Sequence, residues 1–242
     1  MRLPDHERAA HREAFRTMTL PEKADYVFAY YKLPLVLALI VVVALGWTAW
    51  RRVTHKEPLL YVALVNVADS EVLDNGLGND YVIATGNDPR TAEVYCYHAL
   101  YLSDPEDSSD HQYSYASRMK LMGAVAAEQL DVVVMNRDGY DLLSNSGYLM
   151  DLAPLLAKGG DGTAALVPLL QTNVVVDSDN SIEVELNEAD AYVAETHEEQ
   201  NALEVSGRGL FSDFSEPVYL GIIGNSPRAD EALAYLAYLV RG

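Results

Sequence analysis

Cysteine is almost missing from this chain: Cys96 stands alone. No intramolecular disulfide can form, so the fold must be held by its core and not by covalent staples. Cys96 lies in the run AEVYCYHALYL and reads as a small core residue. No cysteine follows the apolar N-terminal segment, where Trp47 to Arg52 stand instead, and this excludes a lipoprotein-type anchor. Basic residues are scarce over most of the chain. Residues 57–242 hold 31 acidic and 8 basic side chains, a balance of −23; residues 1–56 hold 5 acidic and 9 basic, a balance of +4. So acidic a surface repels phosphate backbones, which argues against nucleic acid as a partner. It serves solubility, or draws cations and basic partners.

Recognisable catalytic motifs are lacking too. There is no G-x-S-x-G, no H-E-x-x-H, no P-loop and no Cys–His pair in a known context. His98, His111 and His197 are scattered without ligand spacing. The sequence is therefore not read as an enzyme, and it offers no catalytic residue, metal ligand or cofactor site. Asp177, Asp179, Ser181, Glu183, Glu185 and Glu188 do fall at the ligand positions of an EF-hand loop. However, Ile182 occupies the place where glycine makes the turn, and the flanks read as strands. The polar loop SDPEDSSDHQ reads as solvated.

What the chain does have is one long uncharged run. LPLVLALIVVVALGWTAW, Leu33 to Trp50, carries no ionisable group. As a helix it reaches about 27 Å, close to the roughly 30 Å thickness of bilayer hydrocarbon. Tyr30, Tyr31, Trp47 and Trp50 flank it, as interfacial aromatics do, and Lys32, Arg51 and Arg52 bracket it. It is apolar on every side, unlike an ordinary core helix. The expectation is a transmembrane signal anchor at 33–50. A cleaved signal peptide fits less well, because the preceding 32 residues are too long for an n-region and include acidic groups. Close to the span the positive charges tie; over the whole tail the N-terminal side leads. Residues 1–32 are therefore expected in the cytoplasm and 57–242 outside it, at the cell membrane. Within the tail, TLPEKADYVFAYYK reads as a short amphipathic helix: Thr19 caps it, Pro21 lies in the first turn, and Val27, Tyr30 and Tyr31 share a face.

Beyond Glu57 the pattern alternates. LLYVALVNVA and TAEVYCYHALYL read as strands, and Ser114 to Gln129 as a helix. LDVVVMN reads as a strand covered on both faces, and GYDLLSNSGYLMDLAPLL as two helical pieces. In NVVVDSDNSIEVEL, Val174 to Val176 precede a polar turn, and Ile182, Val184 and Leu186 alternate with glutamates, which predicts a hairpin. EPVYLGIIGNS reads as a buried strand and PRADEALAYLAYLV as a closing helix. The fold class is α/β.

These segments carry a resemblance. AEQLDVVVMNRDGYDLLSNSGYLMDLAPLL resembles the central segment of type 2 periplasmic or extracellular solute-binding proteins, with Gly147, Leu149, Asp151 and Leu152 in a G-x-L-x-D-L element. PVYLGIIGNSPRADEALAYLAYLV is similar to that family's closing strand and helix. The preface Leu20, Lys23, Asp25, Tyr26, Tyr30, Tyr31 and Lys32 with its single span looks like membrane-anchored Gram-positive relatives. The resemblance implies a reduced two-lobed domain after one transmembrane helix, since the outer region is short for two full lobes. Ligand groups would then come from strand carboxyl ends and helix N-termini: Asn66, Ser114, Tyr115, Asn136, Asp138 and Tyr140. Asn136 to Tyr140 could equally cap the following helix. The function implied is a membrane-anchored module that binds a small-molecule solute and feeds a transporter or senses the solute. The alternative is a surface interaction or assembly protein that keeps the fold without a working cleft.

Overall fold

The computed structural model describes residues 19–54, 56–68, 70–102, 111–186 and 191–241; side chains at 20–32, 35, 52–54, 111 and 161 are outside that description. The acidic loop expected after Leu102, the tail before Thr19 and Glu188 of the EF-hand-like pattern mostly or wholly fall outside it. The chain divides into two compact units, residues 1–55 and 56–242.

The first unit contains α1, Leu20–Thr54. The short helix expected to feed the span and the span itself lie on this one element. One helix of 35 residues, about 52 Å at 1.5 Å per residue, runs through both segments. Pro34 lies inside it although proline removes a backbone donor. The described apolar side chains of 33–50 are exposed, among them Leu37, Ile40, Val43 and Trp47. Among the described residues no helix is long and apolar enough to cross a membrane.

The second unit is built on one six-stranded sheet in the order β2-β1-β3-β6-β5-β4. Its strands are β1 (Glu57–Val65), β2 (Ala92–Leu100), β3 (Val132–Met135), β4 (Leu170–Asp179), β5 (Ala194–Glu204) and β6 (Tyr219–Ile222). β1 runs parallel to β2 and β3; β6 is antiparallel to β3 and β5, and β5 to β4. The helices are α2 (Glu71–Leu77), α3 (Asn79–Ala84), α4 (His111–Ala126), α5 (Arg137–Asn145), α6 (Leu152–Lys158), α7 (Ser181–Glu185) and α8 (Ala229–Arg241).

Strand side chains alternate between two layers, as the pleat requires. Leu60, Val62, Leu64, Val132, Val134, Leu220 and Ile222 pack with α2, α3, α6 and α8. Ala63, Val65, Val133, Met135 and Tyr219 pack with α4 and α5. Every residue of β3 is fully buried, as a strand apolar on both faces must be.

The amino end of this core closes on a buried charge. Asp131 is 0% exposed. Its Oδ2 accepts from the Tyr61 backbone N–H (2.8 Å) and from Arg228 Nε (2.9 Å), and its Oδ1 from Ser226 Oγ (2.6 Å). Arg228 also donates to the Glu128 carbonyl and lies over the Tyr61 ring. A buried carboxylate is tolerated only with such partners. These bonds join β1, the entry to β3 and the entry to α8.

One sequence expectation is corrected in the second half. Residues 182–186 are not the return strand of a hairpin: Ser181–Glu185 form α7. Apolar positions at 182, 184 and 186 fit a strand, but Ile182 and Leu186 are also one helical turn apart. The true partner of β4 is β5, whose eleven residues match its ten far better than a five-residue segment could. The glycine-punctuated stretch SEVLDNGLGNDYVIATGNDP contains α2 and α3, with Ser70 capping α2 through the Leu73 N–H and Gly78 at the joint.

Candidate binding surfaces

The carboxyl ends of β1 and β3 are where the sequence places ligand groups, and the structure brings two of them together. Asn66 follows β1 with φ of 53°, a left-handed conformation that asparagine tolerates better than most residues. Its Oδ1 accepts from the Leu102 backbone N–H at 2.7 Å. Its Nδ2 donates to Asn136 Oδ1 at 3.2 Å. Asn136 Oδ1 also accepts from the Gly139 N–H at 2.9 Å, so Asn136 is the N-cap of α5. Gly139 is needed there: a Cβ would meet Val65 Cγ1 at 2.9 Å and Met135 Cβ at 3.2 Å. The two asparagines thus form a clasp across the strand ends, with both side-chain oxygens and the Asn66 amide bonded within the domain.

The other four candidates are dispersed. Asp138 is exposed in the first turn of α5. Ser114 is buried on α4, and Tyr115 beside it is exposed. Tyr140 is fully buried. Its hydroxyl lies 3.0 Å from Asn201 Oδ1 and 3.1 Å from the Gln171 carbonyl, and its ring stacks on Tyr219 at 4.8 Å. Burial pushes its hydroxyl well above the ordinary tyrosine range. Ser144 and Asn201 extend the same network: Asn201 Nδ2 donates to Ser144 Oγ, which donates to the Val174 carbonyl, each at 2.8 Å. Arg137 pairs with Asp141, which accepts from Asn173 Nδ2. The face of α5 that begins at the strand ends is therefore bolted to β4 and β5.

A hollow of about 250 Å³ lies elsewhere, beside the edge strand β2. Lys56, Asp74, Asn79, Glu93, Cys96 and His98 line it. His98 Nδ1 is 3.4 Å from Asp74 Oδ1. Sequence reasoning missed this site because its residues come from α2, α3 and β2 and share no motif. Among the described residues no group of three histidine, cysteine, aspartate or glutamate side chains is placed to hold a metal ion.

The far end of the β4–β5 hairpin was also missed. Asp179 and Asn180 lock it. Asp179 Oδ1 accepts from Ser181 Oγ (2.7 Å) and from the Ser181 N–H, and its Oδ2 from Tyr192 Oη (3.0 Å). These bonds, Ser181 foremost, hold its carboxyl below the usual carboxylate range. Asn180 exchanges backbone and side-chain bonds with Val193 and reaches the Ala191 carbonyl. On this fixed frame Ile182 is 68% exposed, Leu186 62%, Tyr192 57% and Val193 64%. Asp177, Glu183, Glu185 and Glu195 are exposed around them. The EF-hand-like pattern thus lies on a strand, a helical turn and a side chain already bonded within the tip.

On the same hairpin, His197 stands between two carboxylates: Nε2 is 3.0 Å from Glu199 Oε1, and Nδ1 is 3.0 Å from Asp177 Oδ2. The Glu199 contact first, then Asp177, raises its pKa above the ordinary histidine value. Compared with protein-family models, with curated proteins and with solved structures, the chain matches none.

Proposed function

We propose that this chain is a membrane-anchored interaction or assembly module, without catalytic function, whose α/β domain lies outside the cytoplasm. The observation that carries the reading is where exposed apolar surface is found. One place is α1, whose described apolar side chains between Leu33 and Trp50 are exposed. Others are Ile182, Leu186, Tyr192 and Val193 on the hairpin that joins β4 to β5, and Tyr113, Tyr115, Met119 and Met122 on α4. Surface of this kind calls for a covering phase or partner. For α1 the covering phase is the bilayer. The helix passes through the entire uncharged run at 33–50. For the hairpin and α4 it is another protein. The strand-end clasp of Asn66 and Asn136 supports this reading over solute capture, because both side-chain oxygens already accept from the Leu102 and Gly139 N–H groups and the Asn66 amide donates to Asn136.

The hollow beside β2 favours a second reading, a solute-binding-like module that feeds a transporter or senses a solute. The two readings separate in one preparation. Native membranes are dissolved in a mild detergent, and the chain is sized on a native gel and melted against sugars, amino acids, peptides and ions. The interaction reading expects the chain in a hetero-complex and no shift in melting with small solutes. A chain that runs alone and melts higher with one solute overturns it in favour of the second reading, since a ligand bound only to the folded form stabilises it.

The orientation is tested separately. Protease added to intact cells is expected to remove the domain after Glu57. Full protection of that domain reverses the topology.

A further inference from the structure

We propose that the outer face of α4 is a docking site for one amphipathic helix of a different protein, a helix with acidic side chains on both sides of its apolar stripe. This rests on the interaction reading and names the surface and the chemistry of the partner. Three observations carry it. First, α4 is apolar on two opposite faces. Leu121 and Ala124 pack into the domain, and Ser114 and Ser117 are buried with them. On the other side Tyr115, Met119, Met122 and Ala126 are exposed. These four fall at i, i+4, i+7 and i+11, the spacing by which one helix lays a seam along another. An extended strand, whose side chains alternate with period two, does not match it.

Second, the seam is built for close approach. Ala116, Gly123 and Ala126 are small and exposed on this side. A Cβ added at Gly123 would meet no atom within 4 Å, so packing inside the domain does not call for glycine there. Glycine inside a helix is disfavoured by its backbone entropy. A neighbouring helix gives it a use, since the distance between two packed helices is set by the side chains at their contact. Met119 and Met122 add unbranched, adaptable side chains to the same seam.

Third, α4 stands apart from the rest of the domain in charge. It has no aspartate or glutamate, although residues 57–242 hold 31 acidic side chains. Its two cations, Arg118 and Lys120, are exposed. At about 3.6 residues per turn they fall on opposite sides of the stripe. Arg118 donates to the Leu102 carbonyl at 3.1 Å, and the Lys120 ammonium lies 5.4 Å over the Tyr97 ring. An apolar seam between two cations is complementary to a helix that carries carboxylates beside its own seam. The charge disfavours two other occupants. A second copy packed α4 against α4 would set cations against cations, and the −23 balance of residues 57–242 repels an anionic lipid surface.

The experiment uses the full chain in the cells that produce it. The photo-crosslinking side chain p-benzoylphenylalanine replaces Met119 or Met122, and in separate chains Ile83, which is exposed on α3. The expected result is one discrete crosslink from the α4 positions, to a different protein, at a peptide with apolar residues at helical spacing and aspartate or glutamate beside them. Lys120→Glu should reduce that crosslink fivefold or more. Gly123→Leu should reduce it tenfold or more by blocking close approach, yet melt no lower than the parent, because leucine is the better helix former. If Gly123→Leu does melt lower, Lys120→Glu decides. Crosslinks from α4 to lipid, to another copy of this chain or to a peptide without acidic residues overturn the proposal. So does a crosslink that survives either change. A hetero-complex on the native gel with no crosslink from α4, or with crosslinks from Ile83 alone, sinks the α4 site and leaves the interaction reading standing; a chain that runs alone on that gel sinks both.

Discussion

Val132 to Met135, and the apolar residues Ile182, Leu186, Tyr192 and Val193, end in opposite surroundings. In β3 every side chain is fully buried, because β1 and β6 pair on its two edges and helices land on both of its faces. At the hairpin tip the apolar side chains stand in solvent, because β4 is the last strand of the sheet and the tip lies past its paired length. Apolar sequence is thus necessary for burial but does not secure it. What decides is whether another element arrives to cover the surface. The polar groups follow the same division. Inside, Asp131 and Tyr140 are surrounded by protein partners. Outside, Asp179 and His197 are bonded on the surface, where water competes.

The sharpest way to break this comparison is at the buried end. Asp131→Ala removes the only carboxylate in its cluster and leaves Arg228, Ser226 and the Tyr61 N–H without their acceptor. Removing one partner of a buried pair costs about 3–5 kcal/mol. Denaturant unfolding of the full chain in detergent should show a loss of that order. A loss below about 1 kcal/mol would mean the site is wetter than its burial implies.

Tyr140→Phe should have a smaller effect. The ring and its stack on Tyr219 remain, while Asn201 Oδ1 and the Gln171 carbonyl lose a donor. Unsatisfied buried groups cost about 1–3 kcal/mol. The damage should be local, with faster amide exchange in β4 and β5 and little change in β1 and β3. Uniform loosening of the sheet would contradict the division drawn above.

The same division explains what could be read in the sequence. β3 and α8 were legible to within two residues of their ends, because their apolar pattern has no second interpretation. α7 was not, since Ile182, Val184 and Leu186 fit a strand and a helical turn alike. β5 was not read at all: AETHEEQ has no apolar face, and only Asn201 to Leu203 enter the core. Its strand character comes from β4, a tertiary partner that local pattern does not contain. The candidate site fared similarly. The capping role of Asn136 was among the readings of its segment. The role of Asn66 depends on Leu102, and that of Tyr140 on Asn201, sixty-one residues away in sequence.

At the exposed end, Ile182→Ser and Leu186→Ser should leave stability within about 0.5 kcal/mol of the parent, as surface changes do. Thermal melting of each variant checks this. A loss near 2 kcal/mol would mean that these side chains are covered within the chain itself.

The smallest effect belongs to His197. Its ring is exposed, so water screens its contacts with Glu199 and Asp177, and the shift in its pKa is the proper readout. In the folded chain that pKa is raised above the ordinary histidine value, because Glu199 and Asp177 favour the charged ring. A group with a raised folded pKa adds stability that is fully present below its unfolded pKa and is lost as pH rises through the folded one. The hairpin should therefore be slightly firmer at pH 5.5 than at pH 8.5. Two-dimensional NMR of the imidazole should give a midpoint above that of a free histidine. Glu199→Gln, which removes the larger cause, should move the midpoint down further than Asp177→Asn does. A midpoint at or below the free value, or a larger fall from Asp177→Asn, would show that the ring is not held between the two carboxylates in solution.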